Sequence, residues 1–262
     1  MNTHKLLYAF AGLLAGCLVG FFFANSVNRK ELEALRGEVA RTRAASGGQK
    51  SESANAGASG GGGGDAGAAV MPSEAEMREL IAKADANKSD VEYQRKVGQG
   101  IYLYALSTGK PALLPDAVRL LKRAHEVDSK NYETNLLVGN SLFALGQAGD
   151  AAKYEEARVY YNKAVETKPD DPNIHALLGM TYFFGDRSDP QRAIKEYRKS
   201  LNADSRHEMA LQSLASALIA TGAIEEAARR IEELQTVNAQ NSALANLRGQ
   251  LAQARNAAKE KD

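Results

Sequence analysis

The side chains able to bind a metal or act as nucleophiles are few in this chain and stand far apart. Four histidines, His4, His125, His175 and His207, share no metal-ligand spacing, and the one cysteine, Cys17, can form neither an intramolecular disulfide nor a thiolate metal site. Two adjacent acid pairs, Glu155 with Glu156 and Glu225 with Glu226, read as solvated helix faces rather than general acid–base pairs. No nucleophile–base constellation emerges. The chain is therefore read as a non-enzyme, with no catalytic, cofactor-binding or metal residue assigned. A net charge of +1 over 262 residues leaves no surplus of Lys and Arg for phosphate, so nucleic acid is not an expected partner. The average composition, 44% hydrophobic and 25% charged, is that of a globular protein, yet it hides unlike segments that decide the architecture.

The first segment, 1–27, predicts a single-pass transmembrane anchor. Leu6 to Ala24 reads LLYAFAGLLAGCLVGFFFA, 19 residues without a charge, against roughly 20 for a helix crossing the hydrocarbon core. Its most apolar part comes last, where a cleaved signal would carry its cleavage site. Leu14-Ala15-Gly16-Cys17 also resembles the lipobox of bacterial lipoproteins, in which the Cys is acylated. The apolar run Leu18 to Phe23 argues against a lipoprotein tether, and either reading attaches the chain to a membrane. Gly12, Gly16, Gly20 and Ala24 recur every fourth residue and form a small-residue face for helix pairing. Residues 28–43 predict a charged helical stalk, where Leu32, Leu35 and Val39 form a narrow seam. Together these predict a parallel homodimer through the anchor, with a solvated stalk and lipid-exposed glycine as the bland alternative. The basic residues after the anchor favour a cytoplasmic C-terminal part by the positive-inside rule. Analogy with other N-anchored repeat domains favours the periplasm, and that side is preferred.

Residues 44–71 are Gly-, Ala- and Ser-rich, with nine glycines between Gly47 and Gly67, and predict a disordered linker. A chain of that length has a reach of roughly 30 Å. The rest, 72–262, predicts an all-α domain. Ser73 with Glu76 forms a capping-box signature, and every apolar pattern that follows has helical period. Pro and Gly mark segment ends at Pro111, Pro115, Gly146, Pro169, Pro172, Gly185, Pro190 and Gly222.

The helices come in similar pairs. The first of each pair carries an apolar residue, a small one, and a larger apolar one three further on: Val97-Gly98/Ile101, Val138-Gly139/Leu142, Leu178-Gly179/Tyr182 and Leu214-Ala215/Leu218. The second carries Ala117/Leu121/Ala124, Ala157/Tyr161/Ala164, Ala193/Tyr197/Ser200 and Ala227/Ile231/Leu234. This pattern resembles the tetratricopeptide repeat, a helix–turn–helix unit of about 34 residues, over roughly residues 90 to 240. The spacing is stretched, with successive small residues 41, 40 and 36 apart, and the extra residues are expected between the two helices of each unit. Glu74 to Ala86 is expected to cover the first repeat. Ser242 to Lys259 is expected to close the last, with Leu244, Leu247 and Leu251 turned inward.

The resemblance implies a curved superhelix of about four repeats whose first helices line a concave surface that binds a protein or an extended peptide. Carried over residue by residue, that surface comprises Arg95, Gln99 and Tyr102, then Leu136, Asn140 and Phe143. The third and fourth repeats add Ala176, Met180, Phe183 and Phe184, and Gln212, Ser216 and Ile219. Asn140 would offer an amide to a peptide backbone, and Phe143, Met180, Phe183 and Phe184 an apolar floor. Phe183 and Phe184 diverge by about 100° on a helix, so one of them is expected in the core. The family's clamp for a C-terminal carboxylate is only partly matched by Arg95 and Asn140. His175 takes a position where the family often has an aromatic and is expected to pack; His125 is expected at the surface. The implied role is a membrane-tethered scaffold. The alternatives are an assembly factor resembling those of bacterial cytochrome c maturation, and a purely structural spacer.

Overall fold

The computed structural model describes residues 72–259. The anchor with Gly12, Gly16, Cys17, Gly20 and Ala24, the stalk, the linker and the last three residues lie outside the described residues. Among those described, no helix is long and apolar enough to cross a membrane.

Among the described residues ten α-helices follow one another: α1 (Glu74–Ala86), α2 (Val91–Thr108), α3 (Leu114–Val127), α4 (Tyr132–Gln147), α5 (Lys153–Thr167), α6 (Pro172–Phe184), α7 (Pro190–Ala203), α8 (Glu208–Ala220), α9 (Ile224–Val237) and α10 (Leu244–Lys259). No strand occurs among the described residues. The helices from α2 to α9 make four antiparallel hairpins, and each second helix also packs on the next first helix.

Short-range chemistry sets the starts. Ser73 caps α1 through the expected capping box: its hydroxyl accepts the Glu76 N–H, and the Glu76 carboxylate accepts the Ser73 N–H. Asp90, Asn131 and Asp171 cap α2, α4 and α6 with side-chain oxygens. Pro172 and Pro190 occupy the first positions of α6 and α7, where a missing N–H costs nothing.

The small residues let the hairpins close. A Cβ on Gly98 would lie 2.7 Å from Leu121 Cγ, one on Gly139 2.5 Å from Tyr161 Cε1, and one on Gly179 2.6 Å from Tyr197 Cδ1. Each bulky residue fills the notch its partner glycine leaves, and all twelve second-helix positions of the repeat pattern are buried. Tyr182 departs from the pattern. It is half-buried, with the Arg158 guanidinium 4.2 Å above its ring.

The stretched spacing has two origins: the expected one, extra residues between the paired helices, supplies two residues in each of the first three units relative to the fourth, and a longer first helix supplies nearly all the rest. The connections between paired helices are short: residues 109–113, 148–152, 185–189 and 221–223. In the first two hairpins further residues lengthen the first helix, to 18 residues in α2 and 16 in α4, against 13 in α6 and α8. Gly146 lies at the end of α4, as expected, and a Cβ there would meet the Tyr154 ring at 2.8 Å.

Both ends are covered. Met77, Leu80, Ile81 and Ala84 of α1 join the core of the first hairpin, and Leu244, Leu247 and Leu251 of α10 join that of the last. Ion pairs link neighbouring second helices and caps: Asp85 with Arg119 and Arg123, Lys122 with Glu156, Arg198 with Glu226 at 2.9 Å, and Glu225 with Arg255 at 3.3 Å. Glu156 and Glu226 are thus half-buried bridges rather than freely solvated acids, while Glu155 and Glu225 are exposed.

Candidate peptide-binding surface

The surface formed by the first helices is built on the glycine–tyrosine notch of the second hairpin. Tyr161 lies fully buried beneath Gly139, and its hydroxyl donates to Asn140 Oδ1 at 2.9 Å. Burial pushes this phenol far above its ordinary range, so it stays a donor. The bond fixes the Asn140 amide and leaves its N–H2 group, with no hydrogen-bond partner among the described residues, as the part of the side chain free for a ligand.

The other residues of the surface differ in depth. Arg95, Gln99, Leu136, Phe184, Gln212 and Ser216 are half-buried and reachable by a partner. Tyr102, Asn140, Phe143, Phe183 and Ile219 are buried, and Ala176 and Met180, the latter 1% exposed, lie beneath the surface in the core. The two phenylalanines diverge as helix geometry requires, with Phe183 inward and Phe184 at the rim, their rings edge to face at 5.1 Å.

Arg95 is already engaged. Its guanidinium bonds the two oxygens of Glu92 at 3.1 and 2.8 Å, and a further N–H reaches Glu133 on α4 at 3.2 Å. The pairing holds the Glu92 carboxyl below its usual range against the opposing effect of burial. A single cation shared by two carboxylates offers little to an incoming carboxylate. The reachable residues beside it, Gln99, Leu136, Phe184, Gln212 and Ser216, carry no charge.

Fold comparison places this architecture. The array is similar to the crystal structure of MamA, at 19% identity with a TM-score of 0.52 over 64% of this chain and 89% of that one. It is equally similar to the structure of residues 41 to the end of MamA from Desulfovibrio magneticus RS-1, again at 19% identity and TM-score 0.52, over 64% of this chain and 88% of that one. A thermophilic tetratricopeptide protein of Thermus thermophilus also matches, at 16% identity and TM-score 0.49, over 69% of this chain and 89% of that one. The MamA likenesses show the fold alone, an all-α array of helical hairpins. No protein-family model matches the sequence, and no curated protein does.

Several contributors escaped the sequence reading. Tyr154, in the first turn of α5, joins the floor to the rim: its ring meets Phe143 edge to face at 5.1 Å and Phe184 at 6.3 Å. Burial pushes its phenol up to about 12. The sequence signal was Gly146, the small residue against which that ring packs. Arg158 donates to the Thr181 hydroxyl at 3.2 Å and to its carbonyl at 3.1 Å, tying α5 to α6.

The histidines differ from expectation as well. His125 is buried, not at the surface; its Nε2 lies 2.8 Å from Lys163 Nζ and its ring stands edge-on to Tyr160. Burial, then the nearby Lys163 charge, lowers its basicity and keeps it neutral. His175 is buried as expected, but as a polar link: Nδ1 lies 2.8 Å from Glu196 Oε2 and Nε2 2.7 Å from the Pro169 carbonyl.

Proposed function

We propose that this protein is a membrane-tethered scaffold, not an enzyme, that binds an uncharged, extended stretch of a partner protein across its first helices. The observation that carries this reading is the chemistry of the reachable surface. Successive first helices present Gln99, Leu136, Phe184, Gln212 and Ser216, with Asn140 buried between them, while Arg95 is neutralised by Glu92 and Glu133. Such a surface supplies amide hydrogen bonds for a peptide backbone and an aromatic rim for one apolar side chain, and favours neither an acidic nor a basic ligand. The tether is residues 6–24, whose uncharged run has the length a membrane span requires. The linker lets the array sample partners within roughly 30 Å of its root.

The test compares three chains in cells: the full-length protein, its Gln99→Lys/Gln212→Lys variant, and a form lacking residues 1–27. Full-length protein is expected in the membrane fraction with co-purifying partners. The double variant should stay in that fraction and lose the partners, because each new ammonium meets no counter-charge in the interface. The shortened form should leave the membrane. Partners that survive both lysines would refute the first-helix surface, and a shortened form still bound to membrane would refute the tether.

A further inference from the structure

His207 is the odd member of a series. The helices that open the first three hairpins are capped by side-chain oxygens, those of Asp90, Asn131 and Asp171, whereas α8 is capped by an imidazole. His207 Nδ1 accepts the Ala210 N–H at 3.3 Å, and a ring nitrogen accepts only while it is unprotonated. The ring proton is then on Nε2, which donates to Asn173 Oδ1 on α6 at 3.0 Å. Ser200 on α7 has one proton to give, to the Pro172 carbonyl at 2.7 Å or to Nδ1 at 3.2 Å. A second proton on His207 would displace the Ala210 N–H and set a positive charge at the positive end of α8.

His175, three residues along α6 from Pro172, has the opposite requirement. Both of its ring nitrogens face acceptors, the Glu196 carboxylate on α7 and the Pro169 carbonyl in the connection before α6. Only the doubly protonated ring donates to both. Lys199 holds the other Glu196 oxygen at 2.9 Å.

We propose that the joint where α6, α7 and α8 meet is a two-sided proton clasp, closed when His175 is charged and His207 neutral, and loosened by a proton gained at His207 or lost at His175. The surroundings of each ring push in the required directions. Burial lowers the basicity of His207, opposed by the charges of Asp204, Asp171 and Glu208. Of these, Asp171 is committed to capping α6 and to the Tyr132 hydroxyl, and Glu208 to Asn238 and Asn241. The hydrogen bond to Glu196 raises the basicity of His175, opposed by burial and by the Lys199 charge. A depressed imidazole contributes stability above its unfolded value of 6.5 and loses it as the pH falls below that value. A raised one contributes fully below 6.5 and loses it as the pH rises through its folded value. The two contacts are therefore together tightest near pH 6.5: acid loosens the start of α8 from α6 and α7, and alkali loosens α6 from α7.

The experiment is hydrogen exchange of the full-length protein across about pH 5 to 9, corrected for intrinsic rates, together with imidazole titrations by NMR. Protection of the first turn of α8 is expected to fall roughly five-fold below pH 6.5, the ratio that corresponds to the ~1 kcal/mol of a lost N-cap. In His207→Asn, which places at α8 the residue type that caps α4, the acid limb should vanish. In His175→Gln the alkaline limb at the start of α6 should vanish. The wild-type titrations need no variant to fold and should place His207 below and His175 above 6.5. An acid limb that persists in His207→Asn, or two coincident titrations near 6.5, would overturn the clasp.

Discussion

Gly139→Ala adds one methyl group at the closest approach of the second hairpin. Its Cβ would sit 2.5 Å from Tyr161 Cε1, 2.6 Å from Cδ1 and 3.1 Å from Cζ. Ordinary contact begins near 3.4 Å, so the ring must retreat by about 1 Å. Tyr161 has nowhere to go: it is fully buried, and its hydroxyl is held by Asn140. Overpacking of this kind costs about 1–3 kcal/mol, and this rigid ring places it in the upper half of that range. Replacing a mid-helix glycine by alanine returns at most ~1 kcal/mol in helix propensity. The net expectation is a loss of about 1–2 kcal/mol, a fall of roughly 2–8 °C in melting midpoint for a domain of this size. Gly249 on α10, where an added methyl would meet no neighbour within 4 Å, is the matched control. There alanine brings only the propensity gain, and the midpoint should rise by roughly 2–4 °C. Far-UV circular dichroism melts of the two variants against wild type read both signs. A Gly139→Ala midpoint at or above that of wild type would refute the notch as the feature that sets the spacing of the hairpin.

Further outcomes follow from the same contacts. Tyr161→Phe removes the donor to Asn140 and should cost about 0.5–1.5 kcal/mol in urea unfolding, with a non-additive cycle against Asn140→Ala; additivity would show that the bond contributes nothing. The Lys122–Glu156 bridge, on side chains about one-third exposed, should show a coupling of at most ~0.5 kcal/mol that fades in about 1 M salt. Because the folded state keeps Tyr154 neutral up to about 12, against 10 when unfolded, stability should fall as the pH rises from 10 to 12. Tyr154→Phe should make that slope shallower by about one proton's share, the rest belonging to Tyr132, Tyr160, Tyr161 and Tyr197, whose phenols burial also raises; an unchanged slope would refute the share assigned to Tyr154.

The repeat pattern was legible because each small residue and its bulky partner lie on helices whose period the sequence displays. Gly139 with Tyr161 and Gly179 with Tyr197 meet as their spacing implied, and the capping box at Ser73 is purely local. Gly146 marked the end of α4 as read, but a glycine there does not reveal that it also seats an aromatic ring, which only the position of Tyr154 shows. The polar network was hidden for a related reason. The Glu196 partner of His175 is 21 residues away and the Lys163 partner of His125 is 38 away, so the local pattern marks neither partner, although the repeat position of His175 pointed to its burial. On the candidate surface, the carried-over positions gave the helix face but not the depth. Met180 lies beneath the surface because α6, in the middle of the array, is buried over nearly its whole length.

Site-specific photocrosslinking in cells addresses the central claim, that partners bind across the first helices. A short photoreactive residue is placed in the full-length chain at Gln99 or Gln212 on the first helices, or at Val159, which is 53% exposed on the second helix α5. The scaffold account expects the same partner band from Gln99 and Gln212 and none from Val159. Crosslinks that arise from Val159 while both first-helix positions stay silent would contradict it.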